Sequence, residues 1–176
     1  MITKITGLLT RVLDDEVRLQ VTGYAVVEVG VQRPLVCEAG IIRSTEGRNT
    51  ADMAHRLLSV YNGLVEVIDE FRPATMAVEQ LYAHYQHPRT AILMAHARGV
   101  IFLAAAQRGL TVRSYNATSI KKTVTGSGRA SKEQMQRAVQ RELGLAKLPE
   151  PPDVADALAV ALCQFCIEMR PGGVLG

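Results

Sequence analysis

The sequence has no tryptophan, only three cysteines and no long apolar run. Three cysteines are too few for a disulfide scaffold, which excludes the small secreted folds that depend on one. No apolar run reaches the roughly 18 residues that a membrane span needs, and no basic segment followed by an apolar core marks a signal peptide. Cys163 and Cys166 form a C-x-x-C pattern inside an apolar helical run, which favours buried thiols over a metal or redox site. We therefore expect a cytoplasmic globular protein.

The remaining composition is that of an ordinary folded domain. The chain has 176 residues, of which 48% are hydrophobic and 21% are charged. This length is sufficient for one domain with its own core, so we expect a single domain over 1–176 with a frayed tail at 171–176. The formal net charge of +3 permits a nucleic-acid partner but does not require one.

Hydrophobic periodicity predicts strands first and then alternating helices and strands. The predicted strands cover 2–13, 17–29, 35–42, 75–79 and 111–115, and the predicted helices cover 51–71, 90–108, 131–144 and 152–169. The segment 116–130 is polar and predicts an irregular connection. Three antiparallel strands followed by helix–strand alternation indicate an α/β domain with a mixed β-sheet flanked by helices. This order resembles the ribonuclease H-like fold.

Three carboxylates stand where such a domain concentrates its chemistry. The strand 75–79 ends on Glu79, and the carboxyl ends of parallel strands commonly carry binding groups. Asp153 and Asp156 lie three residues apart, on one face of the last helix. Together they could hold a hard cation such as Mg²⁺. The alternatives are that Glu79 only marks where the strand meets solvent and that the aspartates only stabilise the helix N-terminus.

Five segments of the chain resemble the RuvC family of Holliday junction resolvases, in the same order. They are VTGYAVVE (21–28), AVEQLY (77–82), ARGV (97–100), IKKTVTGSGRASKEQ (120–134) and DVADALAVA (153–161). The resemblance implies a dimeric endonuclease that resolves four-way DNA junctions by paired symmetric nicks in recombination and repair. It also implies two Mg²⁺ ions per active site, and RuvA and RuvB, the branch-migration proteins, as partners.

The resemblance also implies roles for individual residues. Glu79, Asp153 and Asp156 match metal ligands of the family, with Glu79 and Asp153 catalytic. Tyr82 matches an aromatic residue beside the active site, which could stack on bases opened at the junction. Lys121 and Lys132 match lysines that contact DNA phosphates.

The first strand departs from the family pattern. Members carry Asp-Pro-Gly there, and that aspartate is a fourth ligand, whereas this chain has Glu16-Val17-Arg18 at the aligned position. A hairpin turning at residues 14–15 would place Gly23 opposite about Thr6, which is no ligand. The first 21 residues are instead similar to the opening hairpin of RuvA.

Two explanations of this departure remain open. One is a chimaeric or mis-started reading frame, and the other is a diverged enzyme in which Asp15 or Glu16 replaces the missing aspartate. The alternative functions are a junction-binding protein whose catalysis is impaired, and another ribonuclease H-like nuclease that acts on different branched DNA.

Overall fold

One mixed β-sheet forms the centre of the molecule. The computed structural model describes residues 4–13, 18–30, 33–44, 52–81 and 88–169. Its strands are β1 (Lys4–Leu13), β2 (Arg18–Glu28), β3 (Leu35–Arg43), β4 (Thr75–Glu79) and β5 (Thr111–Tyr115). Their spatial order is β3-β2-β1-β4-β5. The pairs β1–β2 and β2–β3 are antiparallel, whereas β1–β4 and β4–β5 are parallel, which confirms the predicted mixed sheet.

Helices cover both faces of this sheet. They are α1 (Met53–Phe71), α2 (Pro88–Gln107), α3 (Ala117–Thr125), α4 (Lys132–Leu143) and α5 (Pro152–Met169). Successive strand residues point to opposite faces. Ala77 accordingly joins the core cluster under α3, α4 and α5, while Met76 and Val78 join the cluster under α1 and α2. Over the described residues, no helix is long and apolar enough to span a membrane.

Helix ends follow the local sequence signals. The predicted capping box of α4 is confirmed, because the Ser131 hydroxyl accepts from the Gln134 amide and the Gln134 side chain accepts from the Ser131 amide. Gly144 closes that helix with a φ of 64°, a conformation that glycine adopts without strain. The second helix begins at Pro88, slightly before the predicted start at about residue 90.

The predicted irregular connection over 116–130 is wrong, because residues 117–125 form α3. The Asn116 side chain caps its N-terminus by accepting from the Ser119 amide at 2.7 Å. Ile120 and Val124, one turn apart, are buried against the sheet. A helix of nine residues offers too few apolar positions for its period to stand out among lysines and threonines. Lys121 therefore lies on a helix rather than on a loop.

The predicted hairpin register is also wrong. Gly23 lies opposite Leu9 rather than Thr6, and Thr6 pairs with Val26. A register shift between Arg11 and Val12 contributes to the difference. Leu9, like Thr6, is no metal ligand. Asp15 and Glu16 lie outside the described residues, as do the residues beyond 169.

The C-x-x-C thiols are core residues, as predicted. Cys163 and Cys166 are both fully buried on α5, and neither forms a disulfide. Burial raises the pKa of the Cys163 thiol, which keeps it in its unreactive, protonated form. The pattern therefore serves packing.

Candidate active site

A cavity of about 260 Å³ opens beside the carboxyl end of β4. Two acidic and two basic side chains line it: Glu79, Asp156, Lys121 and Lys132. They come from one strand and three helices, α3, α4 and α5. The fold thus brings together four of the six residues that the sequence singled out for metal or DNA binding. This grouping of opposite charges around a cavity suits a ligand that is itself charged.

Glu79 occupies the last position of β4, after three buried residues. Burial, followed by the negative charge of Asp156, raises the pKa of the Glu79 carboxyl to about 7. The positive charges of Lys121 and Arg98 oppose this shift. A carboxylate partly withdrawn from water beside a second carboxylate is costly for the fold. Glu79 is therefore more than the point where a strand meets solvent.

Asp153 lies in the first turn of α5 and is 9% exposed. Its Oδ1 atom is buried and has no hydrogen-bond partner. An ordinary capping aspartate would use its oxygens to accept from helix amides, so capping does not account for this atom. Asp153 approaches β2 closely, since a Cβ atom built on Gly23 would lie 2.3 Å from the Asp153 carbonyl oxygen. The absence of a side chain at Gly23 lets the start of α5 reach the sheet.

The carboxylates fit a hard divalent cation in their chemistry. Their oxygen donors are those that Mg²⁺ prefers, and a cation would relieve both the repulsion between Glu79 and Asp156 and the unsatisfied Asp153 Oδ1. Within the described ranges, however, no three His, Cys, Asp or Glu side chains already form a group close enough to hold a metal. The cavity contains Glu79 and Asp156, with Asp153 outside its lining.

The two lysines of the cavity differ in exposure. Lys121 is half-buried on α3, and Lys132 is exposed at the first position of α4. Their place in the lining favours a role in binding over that of simple solvated charges. Tyr82, the predicted stacking residue, lies outside the described residues, so its role stays a prediction.

Arg98 is a residue of the site that sequence reasoning did not single out. On α2, its guanidinium donates to the backbone carbonyl of Glu79 and, at 2.8 Å, to the Ser114 hydroxyl of β5. The only signal in the sequence was its place in the ARGV segment that resembles the family. Nothing in that segment shows which strand the arginine reaches, because the contact depends on how α2 packs on the sheet.

We expect Glu79→Gln to raise the free energy of unfolding of the metal-free protein by about 3 kcal/mol near pH 8. The folded pKa of about 7 exceeds the usual 4.5, so the folded protein binds this proton more tightly than the unfolded chain does. The wild-type carboxyl therefore loses its stabilising proton as pH rises through about 7. The variant's advantage should vanish below about pH 4.5.

Urea denaturation in a chelating buffer at several pH values measures this difference. Glu66→Gln, at an exposed position of α1, is the matched control and should change stability little at any pH. Equal stabilities of the Glu79→Gln variant and the wild type across the range would contradict the proposed burial of charge.

Comparison with known proteins finds relatives over nearly the whole chain. The family model described as crossover junction endodeoxyribonuclease RuvC matches residues 15–164. A protein of that name from Rhodopirellula baltica is 44% identical over 171 residues, covering 97% of this chain and 94% of the relative. One from Moorella thermoacetica is 47% identical over 145 residues, covering 81% and 83%. The solved structure of Thermus thermophilus RuvC in complex with Holliday junction substrate gives a TM-score of 0.83 at 26% identity, covering 97% of this chain and 96% of that one.

Proposed function

Because the chain belongs to the RuvC family of crossover junction endodeoxyribonucleases, we propose that it resolves four-way DNA junctions by paired symmetric nicks in recombination and repair. The observation that carries the proposal is the cavity shared by Glu79, Asp156, Lys121 and Lys132. Carboxylates supply the ligands for metal-assisted phosphodiester hydrolysis, and lysines supply charge that attracts the DNA backbone.

We propose Glu79, Asp153 and Asp156 as the ligands of two Mg²⁺ ions. Bound metal would supply an activated water and charge stabilisation at the leaving oxygen. The chain's own part is to hold the carboxylates in place: Glu79 at the end of a paired strand, and both aspartates on the first turns of one helix. The buried, unpartnered Oδ1 of Asp153 supports its inclusion. Glu79 and Asp153 are the proposed catalytic pair.

The lysines have a separate proposed role in holding the DNA. Lys121 and Lys132 line the same cavity as Glu79 and Asp156. A phosphate that enters this cavity would pair with the ammonium groups and lie close to the carboxylates. Tyr82, three residues beyond Glu79 in the chain, is the proposed stacking residue for opened bases.

The alternative of a junction-binding protein with impaired catalysis is not supported. The family match runs through the carboxylates of β4 and α5, and the relatives that match are named as endonucleases. The alignment with the Rhodopirellula protein covers 97% of the chain, so it extends into the opening segment that departs from the family pattern.

Nicking of a synthetic mobile four-way junction tests the proposed function. With Mg²⁺, we expect paired nicks at symmetric positions in two strands of like polarity, and no nicks when a chelator is present. Linear duplex of the same sequence and a three-way branched DNA are the controls. Equal cleavage of all three substrates would indicate a different nuclease activity that is not specific for four-way junctions. Cleavage of none of them would reject nuclease activity altogether.

We expect Lys121→Ala and Lys132→Ala each to weaken junction binding and to lower the slope of log affinity against log salt concentration. Removal of one lysine–phosphate pair should lower that slope by about one unit. Fluorescence anisotropy at several salt concentrations measures it. Lys122→Ala is the matched control, because Lys122 is an exposed neighbour on α3 outside the cavity lining. Unchanged slopes for Lys121→Ala and Lys132→Ala would show that neither lysine pairs with a DNA phosphate.

We also propose a homodimer, because paired nicks require two active sites. Helix α2 supports this assembly, since it exposes three large apolar side chains: Ile92, Phe102 and Leu103. Gly99 lies on the same helix, and a Cβ there would meet no atom within 4 Å in the isolated subunit. A bulky residue at Gly99 would therefore fit the single chain and obstruct only a partner on this helix.

We accordingly expect Gly99→Leu to shift the dimer towards monomer without unfolding it. Analytical ultracentrifugation measures the dissociation constant, and circular dichroism checks the fold. Ala146→Leu, an exposed position after α4, makes the same kind of change away from α2. A Gly99→Leu variant that dimerises as strongly as the wild type would exclude this helix as the interface.

Three further expectations belong to the same proposal. The chain acts as a single domain over 1–176, because both core clusters pack against one sheet. The location is cytoplasmic, which agrees with three cysteines that form no disulfide. RuvA and RuvB remain proposed partners, and co-purification with tagged chain in the presence of a junction tests them.

A further inference from the structure

The guanidinium of Arg98 joins three elements beside the cavity. Its helix, α2, lies on the face of the sheet opposite α5. From there its two terminal nitrogens donate to the Glu79 carbonyl at the end of β4 and to the Ser114 hydroxyl on β5, the latter at 2.8 Å. The Phe102 ring covers the group, with 4.6 Å between the ring centroid and Arg98 Cζ. Arginine suits such a place because its rigid fork can hold two acceptors at once.

The acceptor on β4 is the carbonyl of the peptide group that follows Glu79. The N–H of that same peptide group belongs to Gln80, and it donates to the Tyr115 carbonyl at 2.7 Å. The peptide plane is therefore held at both ends, by Arg98 at the oxygen and by β5 at the nitrogen. Because this peptide plane is fixed, the ψ angle of Glu79 is fixed as well. The φ and ψ angles of Glu79 together determine the direction in which its side chain leaves the strand.

The sheet holds this position on the β5 side only, where Glu79 pairs with Tyr115. The paired residues of β1 and β4 end at Leu8 and Val78, one residue before Glu79. On that side, the end of β4 has no paired residue among those described. The contact with Arg98 thus supplies a restraint at the point where the pairing of β4 with β1 stops.

We propose that Arg98 is a positioning residue of the nuclease, which holds the Glu79 carboxylate in the cavity by fixing the peptide group that follows it. This inference rests on the proposed function. A direct contact between Arg98 and a DNA phosphate is the competing role, and the geometry disfavours it. Both terminal nitrogens already have acceptors within the protein, and an aromatic ring lies over the guanidinium.

Three variants separate these roles. Arg98→Ala removes both hydrogen bonds, Arg98→Lys keeps the charge without the fork, and Ser114→Ala removes one acceptor and leaves the bond to Glu79. Arg113→Ala is the control, because Arg113 is an exposed arginine next to Ser114 on the same strand. Each is measured for its single-turnover nicking rate, with protein in saturating excess over junction, and for its junction affinity in Ca²⁺ at several salt concentrations. Calorimetry of the DNA-free protein with Mg²⁺ alone measures ion binding.

For Arg98→Ala we expect a nicking rate lowered about a hundredfold, as for a catalytic group displaced by roughly 1 Å. Junction affinity should stay within about twofold, with an unchanged salt slope, and Mg²⁺ binding should weaken. Arg98→Lys and Ser114→Ala should have smaller effects of the same kind. A merely structural role would lower the folded fraction and leave the rate per folded molecule unchanged.

Several outcomes would overturn the proposal. One is an Arg98→Ala variant that nicks at the wild-type rate. Another is weaker junction binding with a slope lowered by about one unit, which would make Arg98 a DNA contact. If Arg98→Ala does not fold, unchanged rates in both Arg98→Lys and Ser114→Ala would overturn it. If the wild type nicks no junction, the proposed function fails, and the positioning role of Arg98 is then tested by Mg²⁺ binding alone. Equal Mg²⁺ affinities of Arg98→Ala and the wild type would reject that role.

Discussion

Glu79→Gln and Asp153→Asn are each expected to lower the nicking rate by about a thousandfold while junction affinity stays within about twofold. The amide is nearly isosteric with the carboxylate but lacks the negative charge that a hard cation requires. Losing about 4 kcal/mol of transition-state stabilisation corresponds to this factor. Single-turnover nicking in Mg²⁺ at saturating protein measures the rate, and binding in Ca²⁺ measures the affinity.

The control for this pair of variants is Glu66→Gln, which makes the same substitution on the exposed side of α1. Normal nicking by either variant would show that the substituted residue is not a metal ligand. The competing role for Asp153 is a favourable interaction with the helix dipole. Loss of that interaction would lower the stability by only about 0.3–1 kcal/mol and would leave the nicking rate per folded molecule unchanged. Thermal unfolding beside the kinetics therefore separates the two roles.

Gly23→Ala is expected to lower the nicking rate about a hundredfold, although residue 23 carries no functional group. An added Cβ would lie 2.3 Å from the Asp153 carbonyl oxygen and 2.7 Å from its carbonyl carbon. Real Cβ atoms essentially never show contacts under 3.0 Å, and these atoms are backbone. The start of α5 must therefore move away from β2, and a shift of about 1 Å in a catalytic group can cost a hundredfold.

A matched control for this change is Gly63→Ala. Its Cβ would lie 2.8 Å from an Ile42 side-chain atom, in the cluster on the other face of the sheet. Both variants should lose about 1–3 kcal/mol of stability through overpacking. Only Gly23→Ala should also lower the rate per folded molecule and weaken Mg²⁺ binding. Equal rates for the two variants would show that the approach of α5 to β2 serves packing alone.

The segments that resemble the family each have a physical role at the site. In the VTG segment, Gly23 admits the Asp153 backbone to the surface of β2. In the ARGV segment, Arg98 reaches the end of β4. The AVE and DVAD segments then supply the carboxylates themselves. The segments that resemble the family are therefore the same segments that build the site.

The sequence by itself determined most of the local structure and indicated which carboxylates to propose as ligands. Strand alternation and helical periodicity are set by residues within a few positions of one another, so the mixed sheet and the start of α4 at Ser131 were predictable. The short α3 was missed because Asn116, Ile120 and Val124 provide a weak local signal. The type of chemistry was also predictable, since carboxylates at a strand end and a helix start suit a hard cation.

Only the tertiary structure decided which of these groups meet. Glu79 and Asp156 share one cavity, whereas Asp153 lies beside Gly23 outside its lining, although the two aspartates share a helix. The register of β1 against β2 likewise depends on a bulge that no turn signal reveals. These relations join residues far apart in the chain. Their distances follow from how helices pack on the sheet, and packing depends on the complementary shapes of many side chains at once.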